Sequence, residues 1–299
     1  MATAKLIIRD EVNIKLDQID PMTRRKMSAA LKFMLPYAYH MPAYKLGRWD
    51  GMIRFCDVGG RTYLNLLDTL LPIIQNAGYD IDIEDHRQTW NLKFDEIDEN
   101  YLSNINWPKN HTHEGQPIVL RDYQVEAINN FLNHLQSLQE IATAAGKTII
   151  TATLSKLCEQ YGRTIVIVPN KSLVTQTEED YRNIGLDVGV FYGDRKDYGH
   201  QHTICTWQSL NVLLKKSKRK EADIDIEQFI DNVICIMVDE VHQAKADVLK
   251  ELLTGVFANI PIRWGLTGTI PKEDYEMASL QASLGEVIFK LSASELQEK

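Results

Sequence analysis

The sequence predicts an α/β fold built on a central, mostly parallel sheet and preceded by a small α+β accessory domain. Three observations carry this. Apolar, β-branched runs such as TIVIV and VICIMV are continuous rather than alternating, as in strands buried on both faces between helices. They begin only after Ile118 and alternate with segments of helical period, the order expected of a doubly wound sheet. Before residue 86 the pattern changes to alternating strands and short helices, so the 299 residues read as two domains.

Within residues 1–85, LIIRDEVNIKL is strand-like and MTRRKMSAALKFML places apolar residues at helical spacing. WDGMIRFCD and RTYLNLL suggest a hairpin around Gly59 and Gly60. DTLLPIIQNAG is a second helix ended by Gly78, with YDIDIED alternating as a strand behind it. Residues 86–117 hold acids, Asn, His and two prolines without sustained period, and are expected as a linker. Across residues 118–291 the strand candidates are TIVIVP, DVGVFYG, HTICT, VICIMVD and RWGLTG, with SLVTQTEEDYRNIG a helix between the first two.

Composition bounds the function classes. At 44% hydrophobic and 25% charged, this is the profile of a globular chain rather than a disordered or fibrous one. MATAKLIIRD has neither the basic start nor the apolar core of a signal peptide. No run approaches the ~20 apolar residues of a membrane span, so a cytoplasmic protein without a membrane partner is expected. Cys56, Cys158, Cys205 and Cys235 form no CxxC pair, which leaves neither a zinc spacing nor a disulfide framework and predicts buried, reduced thiols. The net charge of −8 argues against coating nucleic acid by bulk electrostatics, yet residues 1–61 carry eleven Lys+Arg against six acids, 11 − 6 = +5.

The first chemical motif is Gly146-Lys147-Thr148, at the front of the apolar helical stretch in EIATAAGKTIITATLSKL. Free N–H groups at a helix start attract phosphate oxygens, a lysine neutralises them, and a threonine hydroxyl can sit on Mg²⁺. GKT alone is equally an ordinary helix start, because Ile141 stands where a P-loop carries its first glycine. Downstream, VICIMVDEVH ends an apolar strand with Asp239 and Glu240. The C-terminal edge of a strand is where open α/β sheets bind ligands, so Asp239 suits a Mg²⁺-holding acid and Glu240 a group that orients or deprotonates water. An acidic pair after a strand is also a common solvated turn. The order of the two motifs is what favours a Mg²⁺-nucleotide clamped from two strands.

Six ordered signatures then resemble helicase superfamily two, the group with DExH motifs: LRDYQ, TAAGKT, IVPNKSLVTQ, TWQSL, DEVH and GLTGT. The resemblance covers residues 118–291 and implies a RecA-like P-loop lobe using ATP and Mg²⁺. It implies ATP contacts from Arg121, Tyr123 and Gln124, with Gln124 reading adenine, and from Thr143, Ala144, Ala145, Gly146, Lys147 and Thr148. It implies Lys147, Asp239 and Glu240 as catalytic, Thr148 and Asp239 on the metal, and His242, Thr267 and Thr269 coupling nucleotide state to DNA. Within the superfamily, KLGRWDGMIRF before LRDYQ is similar to the accessory domain of UvsW-type branch-migration helicases of tailed phages. Ala142 and Ala144 depart from the Pro and Gly many relatives carry, which bears on affinity and rate.

The resemblance also implies DNA contacts from Lys171, Ser172, Thr206, Trp207 and Gln208, directed at phosphate and therefore blind to sequence. Trp207 reads equally as core, and KKSKRK at 215–220 reads as a solvated basic run or a second strand track. In the accessory domain Arg24, Arg25, Lys26, Lys45, Arg48 and Arg54 are candidates to grip duplex, with Trp49 either a wedge or, with Phe55, packing for the hairpin. A motor of this class needs a second RecA-like lobe, in cis or in trans, whose arginine finger is worth about 10³–10⁵ in rate. EVIFKLSASELQEK resembles the exit from the first lobe, so residues 292–299 are expected to begin a linker and the chain to be a front half. The reading is an ATP-dependent helicase or translocase on forked or branched DNA in recombination, replication or repair. The alternatives are a non-catalytic nucleic-acid-binding module that keeps an ATP pocket and, third, a restriction-type translocase subunit.

Overall fold

The computed structural model describes residues 1–298 and divides into two compact units. The smaller is Met1–Thr89 together with Leu253–Asn259 and Pro271–Ser283; the larger is Trp90–Leu252, Ile260–Ile270 and Leu284–Lys299, of which Lys299 lies outside the described residues.

In the smaller unit, β1 (Ala2–Ile8) and β2 (Asn13–Asp17) pair antiparallel, so the single strand-like stretch of the sequence is two strands. Asp10 turns the chain between them, its Oδ1 accepting from the backbone N–H groups of Val12 (2.9 Å) and Asn13 (2.6 Å). Helix α1 (Pro21–Ala30) is capped by Asp20, whose Oδ1 accepts from Thr23 N at 2.9 Å, and it starts on a proline that loses no helical hydrogen bond there. Then follow β3 (Lys32–Met34), the short α2 (Pro42–Lys45), β4 (Met52–Arg54), β5 (Arg61–Tyr63), α3 (Leu67–Asn76) and β6 (Tyr79–Asp85). The main sheet has the order β5-β2-β1-β6, with β6 parallel to β1.

The hairpin expected around Gly59 and Gly60 is a turn without a hairpin. β4 pairs with β3 in a separate ribbon, and β5 pairs with β2. Gly60 explains the divergence. Its φ is +87°, Leu16 N donates to its carbonyl at 2.8 Å, and a Cβ there would lie 2.0 Å from Leu16 O. Only glycine permits that approach, which delivers the chain to β2 rather than back onto β4.

The larger unit runs α4 (Asp122–Asn133), β7 (Gln136–Ile141), α5 (Lys147–Cys158), β8 (Arg163–Val168), α6 (Lys171–Asn183), β9 (Val188–Tyr192), β10 (Arg195–Lys196), β11 (His202–Thr206), α7 (Trp207–Lys218), α8 (Ile226–Phe229), β12 (Val233–Asp239), α9 (Ala246–Thr254) and β13 (Ile262–Thr267). After α10 (Asp274–Leu284) come β14 (Glu286–Leu291) and α11 (Ala293–Glu298). The sheet order is β10-β9-β11-β8-β12-β13-β7-β14, and every pair except β9–β10 is parallel. This is the predicted α/β class. β8, β12 and β13 are buried along nearly their whole length, as their unbroken apolar runs require.

Two segments differ from expectation. Residues 86–117, expected as a linker, supply Leu102, fully buried in the large core, with Phe94 edge-on to Tyr161 at 5.4 Å. The amide of Asn129 bridges both the N–H and the C=O of Ile97 at 2.9 Å. These residues pack without regular structure, so no period marks them. EVIFKL is not only an exit: it forms β14, the sheet edge beside β7. All four cysteines are buried and free, and among the described residues no helix is long and apolar enough to cross a membrane.

Candidate functional site

The parallel strands bring the candidate residues to one edge of the larger sheet. The P-loop follows the C-terminal end of β7, Asp239 ends β12, and Thr267 ends its neighbour β13. Lys171 and Ser172 open the helix after β8, and Trp207 and Gln208 open the helix after β11, which pairs with β8 through Thr206↔Val168. Parallel polarity alone therefore collects segments far apart in sequence at one rim.

At the P-loop, Gly146 has φ +71° and a Cβ on it would meet Gln124 Nε2 at 2.8 Å, so the loop needs glycine for both conformation and space. Gln124 ties the loop to α4: Nε2 donates to Ala145 O at 3.1 Å while Oε1 accepts from Arg121 N at 2.9 Å. No side chain caps the start of α5, whose first N–H groups are thus left for a ligand. The Lys147 ammonium, 5% exposed, contacts Glu240 Oε1 and lies 4.0 Å from Asp239 Oδ1. Burial pushes the Asp239 carboxyl up to about 6; Lys147 pulls it down and Glu240 pushes it up by smaller amounts.

Glu240 sits at φ +50°, a left-handed conformation that costs a non-glycine residue of order 1–3 kcal/mol. Its N–H donates to Asp239 Oδ1 at 2.9 Å, and its second oxygen accepts from Gly268 N at 3.3 Å. His242 Nδ1 lies 2.7 Å from Thr267 Oγ1 and 3.3 Å from Glu240 Oε2. Thr267 Oγ1 donates its single proton to Thr269 O (2.7 Å) and accepts from Thr269 N (3.2 Å). That hydroxyl can then only accept from the imidazole, which assigns the Nδ1–H form to His242. Glu240, His242, Thr267 and Thr269 form one network, and Gly268 lies against the P-loop, its Cβ position 3.1 Å from Thr143 Oγ1.

Beside the P-loop opens a cleft of about 390 Å³ lined by Ala144, Gly146, Thr148, Arg121 and Gln124. Sequence reasoning did not single out its other walls: Trp107, His111, Val119 and Asp180. The Trp107 and His111 rings stack at 3.9 Å with an interplanar angle of 6°, and Asp180 hydrogen-bonds Thr148 while burial raises its carboxyl above the usual range. The signal was there, since aromatic and imidazole residues two to four apart in WPKNHTH are unusual in a linker, but no period called attention to them.

Other expected contacts separate. Tyr123 is buried in the core, its hydroxyl accepting from Arg121 Nη1 at 2.7 Å, and it does not line the cleft. Thr206 is buried as the cap of α7, its Oγ1 accepting from Ser209 N at 3.3 Å and donating to Ser209 Oγ at 2.9 Å, so it is not an open DNA contact. Lys171, Ser172 and Gln208 are exposed; Trp207 is half-buried. In KKSKRK, Lys215, Lys216 and Lys218 close α7, where cations suit the helix dipole, and Lys218 pairs with Glu251 at 3.2 Å. Trp49 is half-buried with its indole N–H on Met52 O (3.1 Å), which is the packing role rather than the wedge.

The fold and this rim define a P-loop nucleotide-binding lobe of the superfamily-two helicase class. The family described as "Type III restriction enzyme, res subunit" matches residues 117–272, more than half of the chain, and the chain belongs to it. It is 24% identical over 273 residues to the ATP-dependent DNA helicase uvsW of Enterobacteria phage T4, covering 86% of this chain and 50% of that protein. It is 26% identical over 205 residues to the DNA 3'-5' translocase XPB2 of Sulfurisphaera tokodaii, covering 68% and 42%. The crystal structure of the UvsW helicase from bacteriophage T4 superposes with a TM-score of 0.75 at 19% identity, over 96% of this chain and 99% of that one. The chain spans about half the length of the curated relatives it matches.

Proposed function

We propose that this chain is the ATP-binding half of a DNA helicase or translocase that acts on forked or branched DNA in recombination, replication or repair. The observation that carries the reading is the Lys147–Glu240–His242–Thr267 network at the sheet rim, flanked by the exposed Lys171, Ser172 and Gln208.

The residues fit Mg²⁺-ATP. A buried ammonium needs an anion, and the open start of α5 needs acceptors; phosphate oxygens satisfy both. Among the described residues no cluster of three or more His, Cys, Asp or Glu could hold a metal by itself. One carboxylate and one hydroxyl, Asp239 and Thr148, suit a cation that keeps its waters and takes phosphate oxygens as further ligands. The bound nucleotide supplies a phosphoanhydride whose hydrolysis releases free energy. Lys147 exchanges Glu240 for phosphate, which leaves Glu240 free to accept a proton from water. His242 registers that change because it contacts the Glu240 carboxylate, and Thr267 registers it through His242. Arg121, Gln124, Ala144 and Gly146 enclose the base and phosphate side of the cleft, and Thr143 and Ala145 shape the loop. Lys171, Ser172 and Gln208 hold phosphate without reading sequence. A second RecA-like lobe, in cis or in trans, completes the site.

ATP binding and turnover with and without forked DNA, for the wild type, Lys147→Ala and Glu240→Gln, test this. The expected result is nucleotide binding lost in Lys147→Ala, with turnover weak or absent in the chain alone and, once a second lobe is supplied, present in the wild type and lost in both variants. Nucleotide binding indifferent to Lys147 would sink the reading.

A further inference from the structure

Residues 21–49 contain six Lys or Arg and no Asp or Glu, in a chain whose net charge is −8. The structure turns part of this stretch into a projection. β3 and β4 pair with the register Lys32↔Arg54, Phe33↔Ile53 and Met34↔Met52, and the residues between them leave the ribbon and return through Leu35 N donating to Gly51 O at 2.9 Å. Buried Leu35 and Ala38 anchor the excursion. Gly51 closes it at φ +77°, with Met34 Cε 2.9 Å from where its Cβ would stand.

Most of the excursion between these anchors faces solvent, with Ala43 and Trp49 half-buried. Tyr37 is 49% exposed, Tyr39 55%, Tyr44 37% and Leu46 64%. The Tyr39 and His40 rings lie 4.2 Å apart. Lys32, Lys45 and Arg48 are exposed beside them, and Lys45 and Arg48 have no ion pair among the described residues, whereas Arg54 is neutralised by Asp50 at 2.6 Å. Three exposed aromatic rings on an anchored loop are not core packing, and clustered exposed apolar surface marks an interaction site. Lys45 and Arg48 are exposed cations and the nearby acid, Asp50, is taken by Arg54, so the patch selects an anionic partner. Rings that offer π-faces beside cations suit a strand that carries both bases and phosphates.

We infer that the 35–51 excursion is a second nucleic-acid site, which stacks unpaired bases of a DNA strand on Tyr37, Tyr39 and Tyr44 while Lys45 and Arg48 hold its phosphates. This rests on the DNA reading above and deepens it. The smaller unit grips the unpaired arm of a fork rather than only its duplex.

The test uses the full chain and fluorescence anisotropy with two probes, a fork with unpaired oligothymidine arms and the same duplex with blunt ends. The triple substitution Tyr37→Ser, Tyr39→Ser and Tyr44→Ser should weaken fork binding about fivefold or more and leave the blunt duplex unchanged. Lys45→Gln with Arg48→Gln should weaken fork binding and lower its salt slope by about 2. Forks bound as tightly by the triple variant as by the wild type would overturn the inference, as would an equal loss on both probes. Should the triple variant melt early, photocrosslinking of the wild type to 5-iodouracil arms decides: crosslinks within residues 35–51 support the site, and crosslinks only elsewhere refute it. Self-association of the wild type that the variant abolishes, with fork binding intact, would assign the patch to a protein partner instead. A chain that binds both probes through other residues loses only this inference, whereas one that binds neither loses the DNA reading as well.

Discussion

Replacing Asp239 by Asn should make the nucleotide-free protein more stable while abolishing turnover. Burial raises the Asp239 carboxyl from its ordinary 3.8 to about 6 in the folded protein. A folded state with the higher affinity for a proton is favoured at low pH, so this group's contribution is intact below about pH 4. It falls as pH rises and is lost above about 6. The gap of 6 against 3.8, at 1.36 kcal/mol per pH unit, amounts to about 3 kcal/mol at neutral pH. Asparagine keeps an oxygen to accept from Glu240 N and carries no charge, and Lys147 retains its contact with Glu240. The assay is urea denaturation of wild type and Asp239→Asn from pH 4 to pH 8, followed by tryptophan emission. Four of the five tryptophans, Trp90, Trp107, Trp207 and Trp264, lie in the larger unit, and replacing the fifth, Trp49, by Phe in both proteins confines the signal to the unit that holds the site. The variant should match the wild type near pH 4 and exceed it by up to about 3 kcal/mol above pH 6. A variant less stable at pH 7, or a difference that does not change with pH, would refute the argument that desolvation dominates here.

Three further outcomes are expected. Thr267→Val removes the hydroxyl that receives the His242 proton and holds both backbone groups of Thr269, so calorimetric nucleotide affinity should stay within about twofold while stimulation of turnover by DNA is lost; equal stimulation in variant and wild type would break the coupling role. Asp180→Asn takes a carboxylate off Thr148 and out of the cleft, and should tighten Mg²⁺-nucleotide binding by about three- to tenfold, with weaker binding showing instead that Asp180 helps hold the ligand. Gly60→Ala places a methyl on Leu16 O in a left-handed backbone and should cost about 2–4 kcal/mol, read as a lower thermal midpoint in far-ultraviolet circular dichroism; an unchanged midpoint would mean that β5 can be released from β2 without loss.

The strands that sequence made visible are those whose burial is uniform. β8, β12 and β13 are dry on both faces, so TIVIV, VICIMV and RWGLT are unbroken apolar runs. β7 escaped notice because Ser137 and Gln139 interrupt its apolar pattern, and Gln139 is buried with its amide on Ala127 O at 2.8 Å, a partner no local pattern announces. The same logic divides the site. Gly146, Lys147, Asp239 and Glu240 were legible because their chemistry dictates their spacing to strand ends. Asp180 and the Trp107–His111 pair were not, because they reach the cleft by tertiary packing. Thr206 departs from its expected role for the opposite reason: its chemistry suits DNA, but a local hydrogen bond takes it first, and a local bond from its indole N–H likewise gives Trp49 the packing alternative of its two readings.

The division of the chain has a mechanical corollary. Ile260–Ile270, which carries β13, Thr267 and Thr269, belongs to the larger unit, while the segments on either side of it, Leu253–Asn259 and Pro271–Ser283, belong to the smaller. The strand that ends in Thr267 is therefore joined through the backbone, at both of its ends, to segments assigned to the other unit. No single cut in the backbone frees one unit from the other.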